Sequence, residues 1–88
     1  MLLTGKLYTV ITELDLLLFE AFDSTTLDDD YMNFDKVIRI TKNSEINVFL
    51  FVEYVKDCIG IPYCKILYDK KFYIAQGPYH ITDKIKML

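Results

Sequence analysis

The sequence contains few residues that interrupt regular structure: it has three glycines and two prolines among 88 residues, and no tryptophan. Hydrophobic residues make up 52% of the chain, which is enough apolar surface to offset chain entropy and excludes a disordered or collagen-like protein. The longest apolar run, Val48 to Val52, is too short to cross a bilayer, and the N-terminus lacks the pattern of a signal peptide. We expect a single soluble, cytoplasmic domain over residues 1–88 with no membrane contact.

Residues that commonly carry catalysis or bind metals are scarce. The single histidine, His80, together with Cys58 and Cys64 supplies fewer than the four ligands of a structural zinc site. The run Asp28, Asp29, Asp30 lacks the following glycine of a calcium loop. Because no nucleophile turn and no phosphate-binding glycine loop occurs either, we expect no enzyme activity, no cofactor and no metal. The two cysteines are interpreted either as reduced thiols or as a disulfide across the intervening turn.

Charge is divided unevenly along the chain. Residues 1–35 carry eight carboxylates and one lysine, a net charge of −7, whereas residues 36–88 carry nine basic and five acidic groups, a net charge of +4, and the two sum to −3. Such asymmetry bears on partners and not on the fold. The acidic segment, Asp23 to Asp35, is interpreted either as a solvated loop or as a surface that steers the protein towards a basic target.

The first third of the chain predicts a strand followed by a helix. Residues 5–12 are β-branched and aromatic, which is typical of a strand. Residues 13–22 then show apolar side chains at helical spacing, and Thr12 with Asp15 resembles a capping box. Leu16 and Phe19 lie off that apolar stripe, so the predicted helix is apolar on most of its circumference and would need covering by a partner or by the core.

The remaining chain predicts mainly strands. We expect strands over residues 34–41 and 46–55, although Ser44 and Gly60 could also begin and end a helix over residues 44–59. The segments 63–68 and 72–76 flank Asp69-Lys70-Lys71, which predicts a tight hairpin, and residues 79–82 could add a short strand. The expected fold class is therefore α+β but β-rich: a small antiparallel sheet or partial barrel of about five strands with one apolar helix near residues 13–22.

Two family resemblances fall on the predicted hairpin. Gly60-Ile61-Pro62 and Tyr73-Ile74-Ala75 are similar in spacing to the signature of GIY-YIG nucleases, but Pro62 and Ala75 replace a tyrosine and a glycine, and no arginine or glutamate follows. That resemblance implies a hairpin and no catalysis. The hairpin also resembles the middle strands of Tudor-type barrels, which implies an aromatic cage for methylated lysine or arginine. The residues in register with that family are Cys64, Tyr68, Asp69, Phe72 and Tyr73, and the cage would use Tyr63, Tyr68, Tyr73 and Tyr79.

The start of the chain and its composition both point to a phage. Met1 to Tyr8 resembles the start of endonuclease VII, a family of junction-resolving enzymes of T-even phages, but the cysteine pairs and the nuclease region of that family are missing. Lysine outnumbers arginine nine to one, which is typical of an AT-rich genome. The resemblance implies a phage origin and transfers no activity.

The leading hypothesis is a small non-enzymatic protein that binds another protein, as a phage accessory factor or inhibitor in the host cytoplasm. We expect a protein partner and a homodimer or higher oligomer. The candidate partner-binding residues are Asp28, Asp29, Asp30, Leu16, Phe19, Lys70, Lys71 and Tyr73. One alternative is a nucleic-acid-binding module that uses the basic, aromatic hairpin, against which the acidic pI of about 4.9 argues. The other alternative is a self-assembling structural subunit.

Overall fold

The fold is one curled antiparallel sheet of seven strands, a half-barrel. The computed structural model describes residues 2–20, 37–56, 60, 62–75 and 81–88, and the structural statements below concern these residues. The strands are β1 (Leu7–Val10), β2 (Leu16–Glu20), β3 (Ile38–Ile40), β4 (Val48–Lys56), β5 (Pro62–Tyr68), β6 (Lys71–Ala75) and β7 (Ile85–Met87). They are ordered β3-β2-β6-β5-β4-β1-β7, and a 3-10 turn over Thr82–Lys84 precedes β7.

The helix predicted near residues 13–22 is wrong, and with it the α+β class. Leu16–Glu20 form β2, which pairs with both β3 and β6, and the described residues contain no helix beyond the 3-10 turn. The hydroxyl of Thr12 accepts a 3.0 Å hydrogen bond from the amide of Leu14, so it closes a local turn in place of a helix cap. Pairing on both sides satisfies the backbone of β2 and overrides the helical spacing of its leucines. Residues 21 and 22 lie outside the described residues.

The strand predictions for the middle of the chain are confirmed. β4 covers most of residues 46–55, so the alternative helix over residues 44–59 is excluded for its described part. β3 lies within the predicted strand 34–41. The predicted number of about five strands is too low, and the last strand begins at Ile85, beyond the predicted segment 79–82. The β-branched and aromatic content of β4 was a correct guide because these side chains pack well on a pleated surface.

The predicted hairpin is confirmed, with a shorter turn than expected. β5 and β6 are joined by two residues, Asp69 and Lys70, which have φ angles of 48° and 69°. Two consecutive residues with positive φ are typical of a type I′ turn, whose twist matches that of the paired strands. Lys71 is therefore the first residue of β6 and pairs with Tyr68.

The main core lies on one face of the sheet, here called the inner face. Its largest fully buried side chains include Phe49, Phe51, Leu16, Leu18 and Ile66. The register shifts between Phe51 and Glu53 on β4, and this irregularity lets Phe51 and Tyr54 both reach the inner face while Val55 reaches the opposite, outer face. The shift bends the longest strand, so it contributes to the curl that encloses the core.

The N-terminal residues are tied to tyrosine side chains. The amide of Leu2 donates a 2.8 Å hydrogen bond to the hydroxyl of Tyr54, and the amide of Leu3 donates a 2.7 Å bond to the hydroxyl of Tyr8. A tight turn from Leu3 to Lys6 follows, in which Gly5 has a φ of 79°. These bonds hold the first residues against the sheet, next to β1 and β4.

Candidate docking surface on the outer face

A continuous row of apolar side chains crosses four strands of the outer face and ends at Leu88, the residue after β7. Directly opposite residues of paired strands share a face. The register places Leu7 opposite Leu50, Leu50 opposite Leu67, and Leu67 opposite Phe72, while the amide of Leu88 donates a 3.0 Å hydrogen bond to the carbonyl of Leu7. We call these five residues, Leu88, Leu7, Leu50, Leu67 and Phe72, the apolar row.

The ends of the apolar row are exposed. Leu88, Leu7 and Phe72 are 69%, 47% and 41% exposed, whereas Leu50 and Leu67 in the middle are half-buried. With strands about 4.8 Å apart, four strand spacings give the row a length of about 19 Å. Single exposed apolar residues are ordinary, but a contiguous set marks a surface for interaction.

Lysines lie beside the apolar row, towards the tip of the β5–β6 hairpin. Lys86 faces outward on β7 because it pairs with Thr9, the next outward residue of β1 after Leu7. Lys70 is exposed in the hairpin turn, and Lys71 is exposed at the start of β6 but lies on the inner face, because it pairs with Tyr68. Within the described parts of the chain, none of the three forms an ion pair.

The other side of the apolar row borders a second buried cluster. Phe19, Val55 and Ile74 are buried on the outer face, apart from the main core. Lys65 pairs with Glu53 on β4 and with Ile74 on β6, and it is only 6% exposed. Its Nζ lies 5.0 Å from the centroid of the Phe72 ring. Stem packing and the attraction of the ammonium for the ring therefore hold Phe72 at the end of the row.

The structure separates the candidate partner-binding residues into two groups. Leu16 and Tyr73 are buried on the inner face, and Phe19 is buried in the outer cluster. Lys70 and Lys71 are exposed at the tip of the hairpin, Lys70 in the turn and Lys71 on the inner face opposite Tyr68. The predicted acidic site, Asp28, Asp29 and Asp30, lies outside the described residues.

The hairpin tyrosines do not form an open aromatic cage. The rings of Tyr68 and Tyr73 meet edge to face at 6.1 Å in the core. The Tyr68 hydroxyl donates a 2.6 Å hydrogen bond to the carbonyl of Ile46. Burial, with a smaller effect of the Asp69 carboxylate, raises the pKa of Tyr68. Tyr79, the fourth predicted cage residue, lies outside the described residues. For the alternative of a nucleic-acid-binding hairpin, Phe72 is the exposed ring among Tyr68, Phe72 and Tyr73.

The thiol of Cys64, the cysteine that the structure describes, is shielded from reaction by burial. Cys64 is a free, fully buried thiol on the inner face, and burial raises its pKa to about 12. A buried thiol that stays protonated at neutral pH is a poor nucleophile, because the thiolate is the reactive form. Cys58 lies outside the described residues. No group of three metal-ligating side chains occurs among the residues whose placement is described.

Some acidic residues of the first part of the chain form ion pairs with basic residues of the second part. Asp15 lies 3.8 Å from Arg39, and Glu13 lies 3.0 Å from Lys42. Both pairs link the acidic connection between β1 and β2 to β3 and the turn after it. All four side chains are largely exposed, so the pairs contribute little stability. They do show that opposite charges of the two halves meet within one molecule.

Comparison with known proteins yields no match: no family model, no curated protein and no solved structure is similar to this chain. In the described parts of the chain, no helix has the length and hydropathy needed to span a membrane. The residues of the apolar row were missed in the sequence because they come from five separate segments. Only the alternation within each strand carried a signal, and alternation does not tell which strands are neighbours.

Proposed function

We propose that this protein is a small, non-enzymatic binding module that docks on a partner protein through the apolar row. The observation that supports this proposal is the register of five apolar side chains across the outer face, three of which are at least 41% exposed. A sheet face of this kind removes apolar area from water when it is covered by another protein. A phage origin and a role as an accessory factor remain predictions.

The exposed ends of the row supply a moderate binding free energy. Burying a leucine or phenylalanine completely is worth about 1.5–3 kcal/mol, and roughly half of each of these three side chains is still exposed. Leu88, Leu7 and Phe72 together would therefore contribute about 3–4 kcal/mol, which corresponds to roughly a hundred-fold or more in Kd. Single substitutions in the row should accordingly weaken a complex measurably without unfolding the protein.

The test compares row variants with a matched variant elsewhere on the surface. Leu7→Ser and Phe72→Ser each remove an exposed apolar side chain from the row, and Leu14→Ser removes a 72% exposed leucine from the connection between β1 and β2. Each full-length variant is immobilised, and the proteins it retains from a host-cell extract are compared by mass spectrometry. Circular dichroism and thermal unfolding verify that each variant is folded.

We expect the row variants to lose a protein that the wild type and Leu14→Ser both retain. The same protein must then bind in purified form, with Kd raised about ten-fold by one row substitution, since each contributes about 1–1.5 kcal/mol. Identical retention by the wild type and both folded row variants would contradict the docking role of the apolar row.

A further inference from the structure

We infer that the apolar row is one arm of a wider docking surface, and that this surface fits a folded partner protein with a concave, weakly charged apolar face. This inference rests on the proposed function, because it takes the apolar row as a docking surface. It adds the extent of that surface, and the shape and chemistry of the partner that would cover it.

A second set of apolar side chains runs from the row along β1 and β4. The amide of Val10 donates a 2.8 Å hydrogen bond to the carbonyl of Asn47, which continues the register of β1 with β4 by one residue. Ile11 therefore lies beside Ile46 on the outer face, and these two side chains are 47% and 41% exposed. We call Ile11, Ile46 and the half-buried Val48 the second arm.

The second arm meets the apolar row at Leu7 and Leu50, so the two form one surface. Four residues at about 3.4 Å each separate Leu7 from Ile11, so the second arm extends about 14 Å from a row that is about 19 Å long. Thr9 lies within this surface, and its hydroxyl donates a 3.3 Å hydrogen bond to the carbonyl of Asn47. Five of the eight exposed large hydrophobic side chains among the described residues lie here, which is typical of an interaction site.

A single helix or extended segment is too narrow to cover both arms. A helix is about 10–12 Å across, so a helix laid along the row leaves Ile11 and Ile46 uncovered, since they lie about 14 Å away. A helix laid along β1 leaves Phe72 uncovered, because β6 is three strand spacings away, also about 14 Å. An extended segment finds no free ladder groups here, because β1, β4, β5 and β6 are each paired on both sides. A broad face, as a folded protein presents, is needed.

The curvature of the sheet disfavours a second copy of this chain as the occupant. The sheet curls around the main core on its inner face, so its outer face is convex. Two convex faces touch over a small area whichever way they are turned, whereas a stable interface buries about 800 Å² on each partner. The concave inner face of a second copy is filled by its own buried core. The shape therefore favours a different protein whose apolar face is concave.

The charges that border the surface are nearly balanced. The side towards the hairpin tip carries three lysines and three carboxylates: Lys70, Lys84, Lys86, Glu45, Asp69 and Asp83. On the opposite side are Lys6, Lys65 and Glu53, which is opposite Lys65, so the border has five positive and four negative groups, a net charge of +1. Beyond Ile11, Glu13 and Lys42 pair at 3.0 Å. A partner with a strong charge of either sign gains little here, so apolar contact carries the recognition.

The test adds second-arm variants to the row variants described above. Ile11→Thr and Ile46→Thr each remove exposed apolar surface and keep a β-branched side chain that suits a strand. Leu14→Thr is the matched control, since Leu14 is 72% exposed and lies outside the surface. The probes are a native host-cell extract and the same extract digested to peptides with trypsin. Circular dichroism verifies that each immobilised full-length variant is folded.

We expect the wild type and Leu14→Thr to retain a protein from the native extract that Leu7→Ser loses and that both second-arm variants retain less. In purified form, this protein should bind Ile11→Thr and Ile46→Thr with a Kd raised about five-fold in each case. The Kd for the wild type should change by less than about two-fold between about 50 mM and about 300 mM salt. From the digest, we expect no peptide whose retention depends on Leu7.

The possible outcomes separate this inference from the proposed function. If the second-arm variants bind like the wild type while Leu7→Ser binds more weakly, the second arm is overturned and the docking role of the row stands. A retained peptide that Leu7→Ser loses would identify a linear segment as the occupant, and a ten-fold salt dependence would identify a charged partner; either overturns the inference. So would dimerisation in sedimentation experiments that Ile11→Thr abolishes. If row and second-arm variants all retain the same proteins as the wild type, the proposed function itself fails.

Discussion

The hydroxyl of Tyr68, the last residue of β5, donates a 2.6 Å hydrogen bond to the carbonyl oxygen of Ile46. The two residues are 22 positions apart, and the bond ties the hairpin to the loop that leads into β4. The Tyr68 ring is buried and packs against Tyr73. The bond therefore satisfies the one polar group of a core aromatic side chain and joins the hairpin to the rest of the sheet.

Tyr68→Phe should lower the free energy of unfolding by about 1 kcal/mol, the usual net value of one hydrogen bond, since the ring packing is retained and only the hydroxyl is lost. Urea denaturation of the wild type and the variant measures the difference. Phe72→Leu, an exposed change on the same hairpin, is the control and should shift the midpoint little. A midpoint for Tyr68→Phe equal to that of the wild type would contradict the role assigned to this bond.

The same side chain should make stability sensitive to alkaline pH. Its pKa is raised in the folded protein by burial, so above the unfolded-state value of about 10 the unfolded chain releases a proton that the folded chain keeps. The contribution of this group is complete below about pH 10 and is lost as the pH rises through the folded pKa. Urea denaturation between pH 8 and 11 should show a steeper decline for the wild type than for Tyr68→Phe. Parallel declines would show that Tyr68 does not titrate differently in the two states.

Leu16 and Leu14 distinguish the strand from the predicted helix. Leu16→Ala should lower the free energy of unfolding by about 2–5 kcal/mol because it leaves a cavity in the core, whereas Leu14→Ala, at a 72% exposed site, should change it by less than about 0.5 kcal/mol. The helical pattern predicts a different outcome, since Leu14 lies on its apolar stripe and Leu16 does not. Thermal or urea unfolding of the two variants measures the contrast, and a larger loss for Leu14→Ala would contradict β2.

Lys70→Gly should stabilise the hairpin. Lys70 has a φ of 69°, in the left-handed region, which costs a residue with a Cβ atom about 1–2 kcal/mol and glycine very little. We expect a gain of about 0.5–1 kcal/mol in the free energy of unfolding, because the greater entropy of glycine in the unfolded chain offsets part of the relief. Lys71→Gly is the matched control: it lies in β6, so it should destabilise the protein. Equal losses for both variants would show that the turn is not of type I′.

Much of the fold was predictable from local patterns. The β-branched and aromatic residues of β4 favoured a strand over a helix, and the short polar segment between two aromatic runs predicted the β5–β6 hairpin. In β2 the same kind of evidence failed, because Leu14, Leu17 and Leu18 match a helical period while Leu16 and Leu18 match an alternating one. A five-residue strand is too short for either period to prevail without its neighbours.

The candidate site, like the fold, was predictable only in part from the sequence. Composition and periodicity along the chain settled where most strands lie, and they indicated more apolar surface than a small core needs. Which side chains stand together was decided by pairing between distant segments: Leu7 meets Leu50, and Leu50 meets Leu67, through the register of three strands. If the pairing register of a strand shifted by one residue, the side chains of that strand would change faces. The apolar row therefore exists only once the sheet has formed. Register depends on core packing and on the β4 irregularity, which are properties of the whole fold and not of any local segment.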